Sequence, residues 1–393
     1  MLTSIAIILL LGLLMGWLFS KMKLPNLLGM ILVGILLSPY CFNLVDESIL
    51  RISGDLRQIA LVIILTRAGL SLNLSDLKEV GRPAVLMCFV PACVEMVGTI
   101  IFAPLLLDVT VLEAAKIGSV IAAVSPAVVV PRMIKLMEEG YGTGKSIPQL
   151  ILAGASVDDV FVIVVFTALT TLASTGEISA TNFLQIPVSI LLGILLGGIV
   201  GVSLVYFFKK NHMRDSVKVI IILSISFLLL ELQNRLEGSV PVSGLLAIMS
   251  MGILINQTYN VLAKRLSVKY NKLWLGAEIF LFVLVGIAVD LRYAVAAGIG
   301  VVFLIVLALF FRMVGVVLSV VKTRLNKKER LFCAIAYTPK ATVQAAIGTI
   351  PLTMGLECGE IVLTIAVLAI LITAPFGAIC VDNLYKKLLE QEK

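Results

Sequence analysis

Long apolar runs separated by short polar segments repeat along the whole chain of 393 residues. An apolar helix of about 17 residues or more is long enough to cross the ~30 Å hydrocarbon core of a bilayer. The pattern therefore predicts an all-α polytopic membrane protein with 13 transmembrane helices. The predicted spans are residues 2–19, 25–41, 54–72, 83–106, 111–137, 147–174, 184–208, 214–236, 240–257, 270–290, 294–321, 329–352 and 358–385.

Composition and charge agree with a membrane location and orient the spans. Hydrophobic residues make up 60% of the chain and charged residues 14%, against about 25% charged residues in a soluble protein. Lysine and arginine are concentrated in alternate loops, and the other loops hold mainly acids. Because cytoplasmic loops are the positive ones, we expect a multi-pass cell-membrane protein with its N-terminus outside and its C-terminus in the cytoplasm. The net charge of +7 thus indicates topology and no nucleic-acid partner.

Few side chains are available for enzymatic chemistry. The single histidine, His212, lies in a basic loop, so a histidine metal site or a Ser-His-Asp triad is excluded. The six cysteines are scattered without CxxC pairing, which is typical of small core residues. We therefore expect neither an enzyme nor a cofactor.

Two of the predicted spans are interrupted at their middle. The fifth carries Ser125-Pro126 and the twelfth carries Thr338-Pro339-Lys340. A proline within a helix removes a backbone donor and clashes with the preceding turn, and such a break survives at membrane depth only inside protein or beside a watery cavity. The two breaks are seven spans apart, so their helices run in opposite directions. This arrangement predicts an inverted repeat with two crossed discontinuous helices.

The repeat also predicts a pair of charges. If the fifth span matches the twelfth, the fourth matches the eleventh. The fourth carries a lone acid, Glu95, and the eleventh a lone base, Arg312, each near the middle of its span. Charged side chains at this depth pair with each other. We therefore expect Glu95 and Arg312 to form an ion pair.

Two adjacent aspartates, Asp158 and Asp159, interrupt the apolar run AGASVDDVFVIVVF. Each costs ~2.5–3.5 kcal/mol at the membrane midplane, and both desolvation and mutual repulsion favour the protonated form. Once ionised, such a carboxyl group can bind a small hard cation, Na⁺ or Li⁺, together with other oxygen ligands. The candidate ligands are the hydroxyl groups of Ser125, Ser156 and Thr338 and the carbonyls freed at the breaks. One site that binds either a proton or a cation is the chemistry of an antiporter.

Five stretches of the chain together resemble the cation:proton antiporter superfamily, and within it the NHA-type sodium/proton exchanger branch. They are LTRAGLSLNLSDL, AAVSPAVVVPRM, LILAGASVDDVFVIVVF, AEIFLFVLVGIAVDL and YTPKATVQAAIG. The resemblance implies the antiporter fold and an elevator-like alternating-access movement. It also implies Asp159 as the principal ion-binding carboxylate with Asp158 beside it, and Lys340 as the charge that compensates the half-helix ends.

The resemblance further implies two groups of helices, an ion-transporting core and a surrounding panel. Residues 1–80 would form dimerisation and panel helices, and residues 177–292 would form linker and panel helices. Residues 81–176 and 293–393 would form the ion-transporting core. The partners implied are Na⁺ or Li⁺ and H⁺ as substrates, the lipid bilayer and a second copy of the chain.

Departures from the family pattern leave the stoichiometry open. Many relatives carry an acid at the first break, where this chain has Ser125-Pro126. Relatives of the electroneutral Asn-Asp branch carry a glutamate at the position where this chain has Gly154. Paired aspartates suggest two protons per cation. Arg312 stands where electrogenic relatives place a lysine, and because an arginine does not release its proton, it favours electroneutral exchange.

Two other functions fit parts of the pattern less well. A sodium-coupled symporter of the bile-acid type also uses crossed broken helices, but it needs a substrate cavity with more polar residues. An intramembrane aspartyl protease needs two aspartates on different helices that face one water molecule. Adjacent residues on one helix point about 100° apart and do not meet that requirement.

Overall fold

The computed structural model describes residues 1–71, 81–174, 180–236, 240, 242–290 and 298–391, with the side chains of residues 156 and 171–187 outside the description. These residues form 17 helices and, beyond one isolated β-bridge, no strand. The helices are α1 (Leu2–Lys21), α2 (Asn26–Leu37), α3 (Glu47–Ser71), α4 (Arg82–Met87), α5 (Val90–Leu107), α6 (Val111–Ile121), α7 (Pro126–Glu138), α8 (Ile147–Ser174), α9 (Ala180–Lys210), α10 (Asp215–Leu236), α11 (Gly244–Thr258), α12 (Asn260–Ala288), α13 (Gly298–Ser319), α14 (Lys327–Ala336), α15 (Thr342–Ile347), α16 (Ile350–Thr353) and α17 (Gly359–Leu388).

Each of the predicted spans overlaps one or more of these helices. Within the described ranges, eight helical segments are long and apolar enough to cross a bilayer, and α2 and α11 are apolar but shorter. The chain is therefore an all-helical, multi-pass membrane protein. The number of thirteen crossings stays a prediction, because length and composition identify only the eight.

Both predicted breaks are present and lie against each other. α6 ends at Ile121 and α7 begins at Pro126, while α14 ends at Ala336 and α15 begins at Thr342. The amide of Ser125 in the first break donates to the carbonyl of Pro339 in the second, at 2.8 Å. The prolines cause the breaks because they lack an amide proton and leave the carbonyls of the preceding turn without a helical donor. Those free groups meet at the crossing.

The structure adds a break that the sequence pattern did not predict. The span expected at residues 83–106 is divided between α4 and α5, with Cys88 and Phe89 in a turn. The amides of these two residues donate to the carbonyls three residues earlier, those of Val85 and Leu86. The cause is Pro91 in the first turn of α5, since its ring is incompatible with the carbonyl four residues earlier.

The chain divides into two compact units. The first comprises Met1–Gly54, Leu74–Val162 and Ile279–Lys393, and the second comprises Asp55–Asn73 and Ile163–Glu278. Within the first unit α13 packs along α5, α6 packs on α5, and α14 packs on α17. Within the second unit α9 packs along α11. The assignment of helices to a panel and a core stays a prediction.

The C-terminal residues of the chain bind the loop between α7 and α8. The amide of Gly142 donates to the carbonyl of Glu390 at 2.8 Å. The ammonium group of Lys145 lies 2.7 Å from Glu329 and 3.6 Å from Glu390. The hydrogen bond to Glu329 raises the pKa of Lys145 above its ordinary value. These contacts join the chain that follows α7 and α17 to the N-terminal turn of α14.

We expect the substitution Gly377→Ala to destabilise the crossing. A Cβ atom at this position of α17 would lie 2.5 Å from Cγ of Pro339 and 2.8 Å from Oγ1 of Thr338. Overpacking of this kind costs about 1–3 kcal/mol. The matched control is Gly198→Ala on α9, where nothing lies within 4 Å. Thermal unfolding of both variants in detergent measures the difference, and an equal midpoint would contradict the close approach of α17.

Candidate functional site

Five ionisable side chains gather around the crossing of the broken helices. Glu95 lies on α5, Asp158 and Asp159 on α8, Arg312 on α13 and Lys340 within the second break. Glu95, Asp158, Arg312 and Lys340 are at most 1% exposed, and Asp159 is half-buried. Buried charges persist only when they are paired and hydrogen-bonded, so the pairing within this cluster decides its chemistry.

Arg312 is bound on every side of its guanidinium group. Its Nη1 lies 2.9 Å from Oε2 of Glu95, and its Nη2 lies 2.8 Å from Oδ2 of Asp158. Its Nε donates to the carbonyl of Tyr337 at 2.7 Å, and Nη1 also donates to the carbonyl of Ala122. The structure thus brings the predicted partners Glu95 and Arg312 together and adds Asp158 as a second acid.

Lys340 completes the charge network. Its ammonium nitrogen lies 2.6 Å from Oε1 of Glu95 and donates to the carbonyl of Ile121. Ile121 is the last residue of α6, so the ammonium group meets the negative end of that half-helix.

The backbone of the first break is satisfied by groups from other elements. The carbonyls of residues 121–123 and the amides of residues 124 and 125 each have such a partner. In chain order the partners are Lys340, Arg312, Gln344, Asp158 and Pro339. A break inside a membrane protein requires this satisfaction, since no bulk water is available to replace it. The charged residues therefore hold the break in shape as well as neutralising one another.

One carboxylate is left over from this network. The cluster has three acids and two bases, and both bases are engaged with Glu95 and Asp158. Asp159 has no basic partner within the described part of the chain, and its buried Oδ1 has no hydrogen bond there. The fully ionised cluster therefore has a formal charge of −1, carried by Asp159.

The two breaks also carry the hydroxyl groups that the sequence predicts as ligands. Oγ of Ser125 is buried without a hydrogen-bond partner among the described residues. Oγ1 of Thr338 donates to the carbonyl of Ile335 at 2.8 Å and keeps its lone pairs. The side chain of Ser156, the third predicted ligand, lies outside the described part. Oxygen atoms of these kinds are the ligands that hard cations prefer.

The described residues contain no cluster of three or more His, Cys, Asp or Glu side chains that could hold a metal ion. A cation at Asp158 and Asp159 would therefore complete its coordination with hydroxyl or carbonyl oxygens. The two aspartates also differ in availability, because Oδ2 of Asp158 is bound to both Arg312 and the amide of Val124.

Sequence reasoning missed two participants in the site, Tyr337 and Gln344. The carbonyl of Ala122 is one of the carbonyls freed at the breaks, and it accepts a hydrogen bond from Arg312. Tyr337 is an aromatic residue in an apolar segment, which usually indicates core packing. Gln344 had a usable signal, since an amide inside an apolar helix needs a partner. That partner is the carbonyl of Ala123, at 2.9 Å.

Comparisons with known proteins agree on one kind of relative. The family model described as "Sodium/hydrogen exchanger, transmembrane" matches residues 5–386. Sodium/hydrogen exchanger 9B2 of Mus musculus is 33% identical over an alignment of 398 residues, gaps included, which covers 96% of this chain and 72% of that protein. Sodium/hydrogen exchanger 9B1 of Homo sapiens is 32% identical over 384 residues, which cover 93% and 73%. The structure of the sodium proton antiporter MjNhaP1 from Methanocaldococcus jannaschii superimposes with a TM-score of 0.84 at 20% identity and covers 98% of each chain.

We expect Arg312→Met and Asp159→Asn to differ sharply in stability. Removing one partner of a buried ion pair costs about 3–5 kcal/mol, and Arg312→Met leaves two buried carboxylates with only Lys340 to neutralise them. Asp159→Asn keeps the shape and removes a charge that no described base neutralises, so stability is unchanged or higher. Thermal unfolding midpoints in detergent at neutral pH measure the stability of both variants. Equal destabilisation would show that Asp159 belongs to the fixed network.

Proposed function

Because this chain belongs to the sodium/hydrogen exchanger family, we propose that it exchanges sodium or lithium ions for protons across a membrane, with Asp159 as the carboxylate that changes partner. The observation that carries the proposal is the formal charge of −1 in the cluster around Arg312. One proton or one alkali cation neutralises that charge. Both together would leave a positive charge in a largely buried site, which is costly. The two substrates therefore compete for one carboxylate.

We propose electroneutral exchange of one proton for one cation. Arg312 does not release its proton, and it is bound to two carboxylates and two carbonyls. Lys340 is bound to Glu95 and to the carbonyl of Ile121. With both bases engaged by these partners, only Asp159 is free to exchange. The cluster then carries the same charge in its proton-loaded and cation-loaded forms.

The remaining features of the proposal come from the family and the chain's own charges. Asp158 lies beside the cation, while Ser125, Ser156 and Thr338 are candidate ligands. We propose that the core helices carry the site by alternating access, in a homodimer within the cell membrane and without a cofactor. The names of the compared proteins favour exchange over the symport of sodium with an organic anion, which the sequence alone left open.

The transport test uses the purified full-length protein in liposomes with an imposed pH gradient and a lumenal pH dye. We expect Na⁺ or Li⁺ to drive proton flux in the wild type, and we expect Asp159→Asn to reduce that flux to the level of empty liposomes. The rate should be the same when valinomycin and K⁺ hold the membrane voltage at zero as when the voltage is free.

The outcomes of this test separate the parts of the proposal. A flux that responds to the voltage would overturn electroneutrality and leave exchange standing. Full flux in Asp159→Asn would move the exchanging group elsewhere. A wild type that moves no protons with any alkali cation would overturn the exchanger proposal itself and favour the symporter.

The proposed orientation is tested by the exposed thiol of Cys41, which follows α2. The positive-inside rule places this thiol outside the cell. A membrane-impermeant maleimide applied to intact cells should therefore label the wild type, and Cys41→Ser should lose that label. A cysteine introduced by Lys327→Cys in the Cys41→Ser background should react only after the cells are opened. The reverse pattern would invert the topology.

A further inference from the structure

Tyr337 touches the charge network without being one of its charges. It follows the last residue of α14, at the start of the second break, and its side chain is fully buried. Its ring centroid lies 5.3 Å from the guanidinium carbon of Arg312, and its backbone carbonyl accepts the Nε proton of Arg312 at 2.7 Å. The residue thus contacts Arg312 twice, once with the ring and once with the main chain.

The far end of the same side chain reaches α8. Its hydroxyl group donates to the carbonyl of Met87 at 3.4 Å, a long hydrogen bond, and it lies against the backbone of Gly154. A Cβ atom added at Gly154 would overlap the hydroxyl oxygen and lie 3.3 Å from Cζ of Tyr337 and 2.8 Å from Cβ of Met87. Only glycine at position 154 leaves room for the tyrosine. Gly154 precedes Asp158 by one helical turn, so the tyrosine connects α8 at that level to Arg312 on α13.

We propose that Tyr337, seated in the space left by Gly154, is a positioning residue that holds the Arg312 guanidinium against Asp158 and thereby sets how strongly Asp159 binds its cation or proton. This inference rests on the proposed exchange at Asp159. The ring face attracts the guanidinium by a cation–π interaction, which is stronger where the pair is desolvated. Asp158 is the neighbour of Asp159 in the chain, so the compensation of its charge by Arg312 weakens the negative potential that Asp159 experiences.

The direction of the effect follows from that potential. If the ring is removed, Arg312 compensates Asp158 less fully, and the potential at Asp159 becomes more negative. Sodium and protons are then both bound more tightly. The KM for sodium measured at alkaline pH, where protons do not compete, falls. The pH below which protons begin to raise that KM moves upward.

The test measures the KM for sodium and its pH profile in proteoliposomes for wild type, Tyr337→Leu and Tyr337→Phe. We expect Tyr337→Leu to lower the alkaline KM by about three- to tenfold and to move the pH midpoint upward by the matching half to one unit. Tyr337→Phe keeps the ring and the carbonyl, so it should shift both quantities less. The matched control is Phe332→Leu, which removes an equally buried aromatic ring from α14. Among the described contacts, Phe332 has none with Arg312.

Variants at Gly154 test the same inference independently. We expect Gly154→Ala to displace the tyrosine ring and to shift KM and pH midpoint in the same direction as Tyr337→Leu. Adding Tyr337→Phe to Gly154→Ala removes the oxygen that the new methyl group overlaps, so part of the shift should be recovered. Gly198→Ala, which meets nothing within 4 Å, controls for the change from glycine to alanine in a helix.

The outcomes distinguish this inference from the function on which it rests. A wild type that exchanges, with Tyr337→Leu and Phe332→Leu alike in KM and pH midpoint, would overturn the positioning role alone. An unrecovered shift in the Gly154→Ala/Tyr337→Phe double variant would overturn the link through Gly154. A wild type without exchange would overturn the proposed function and this inference with it. A shift of KM and pH midpoint in Tyr337→Leu that is absent in Phe332→Leu supports both the positioning role and the proposed exchange.

Discussion

Buried charge has to be neutralised by its immediate neighbours, and in this protein a single guanidinium group meets most of that requirement. Arg312 contacts Glu95, Asp158 and the carbonyls of Ala122 and Tyr337. These partners come from α5, α8 and both breaks, and Arg312 itself lies on α13. An arginine suits this role because it presents five donors in a fixed plane and stays protonated. Arg312 therefore joins both breaks to Glu95 and Asp158.

The same network separates fixed charges from the one that is free to change. Glu95 is shared between Arg312 and Lys340, and Asp158 is bound to Arg312 and the amide of Val124. Each of these four side chains gains a partner at the expense of its freedom to exchange. Asp159 is one residue away but about 100° around the helix, which turns it out of the network. Adjacent aspartates thus have different environments, and that difference is a structural basis for assigning them different roles.

The breaks and the close packing around them depend on each other. A half-helix end offers free carbonyls and amides at membrane depth, where each unsatisfied group is costly. The first break binds its free groups to side chains of three helices, α8, α13 and α15, and to the second break. Such contacts need helices that approach closely. Gly377 admits the ring of Pro339, and Gly154 admits the hydroxyl group of Tyr337. The small residues are therefore part of the site, although they carry no chemistry.

Sequence by itself determined the membrane class, the two breaks and the five charged residues, because apolar length, prolines and deep charges are signals carried by single residues and their spacing. The partnership of Glu95 with Arg312 followed from the repeat. Tertiary structure alone decided that Asp158 joins that pair, that Asp159 does not, and that α4 and α5 are separate helices. Which carboxylate meets a guanidinium depends on the rotation and approach of three helices. A linear pattern does not contain that information, since it records the helix on which a charge lies and not the neighbour that it faces.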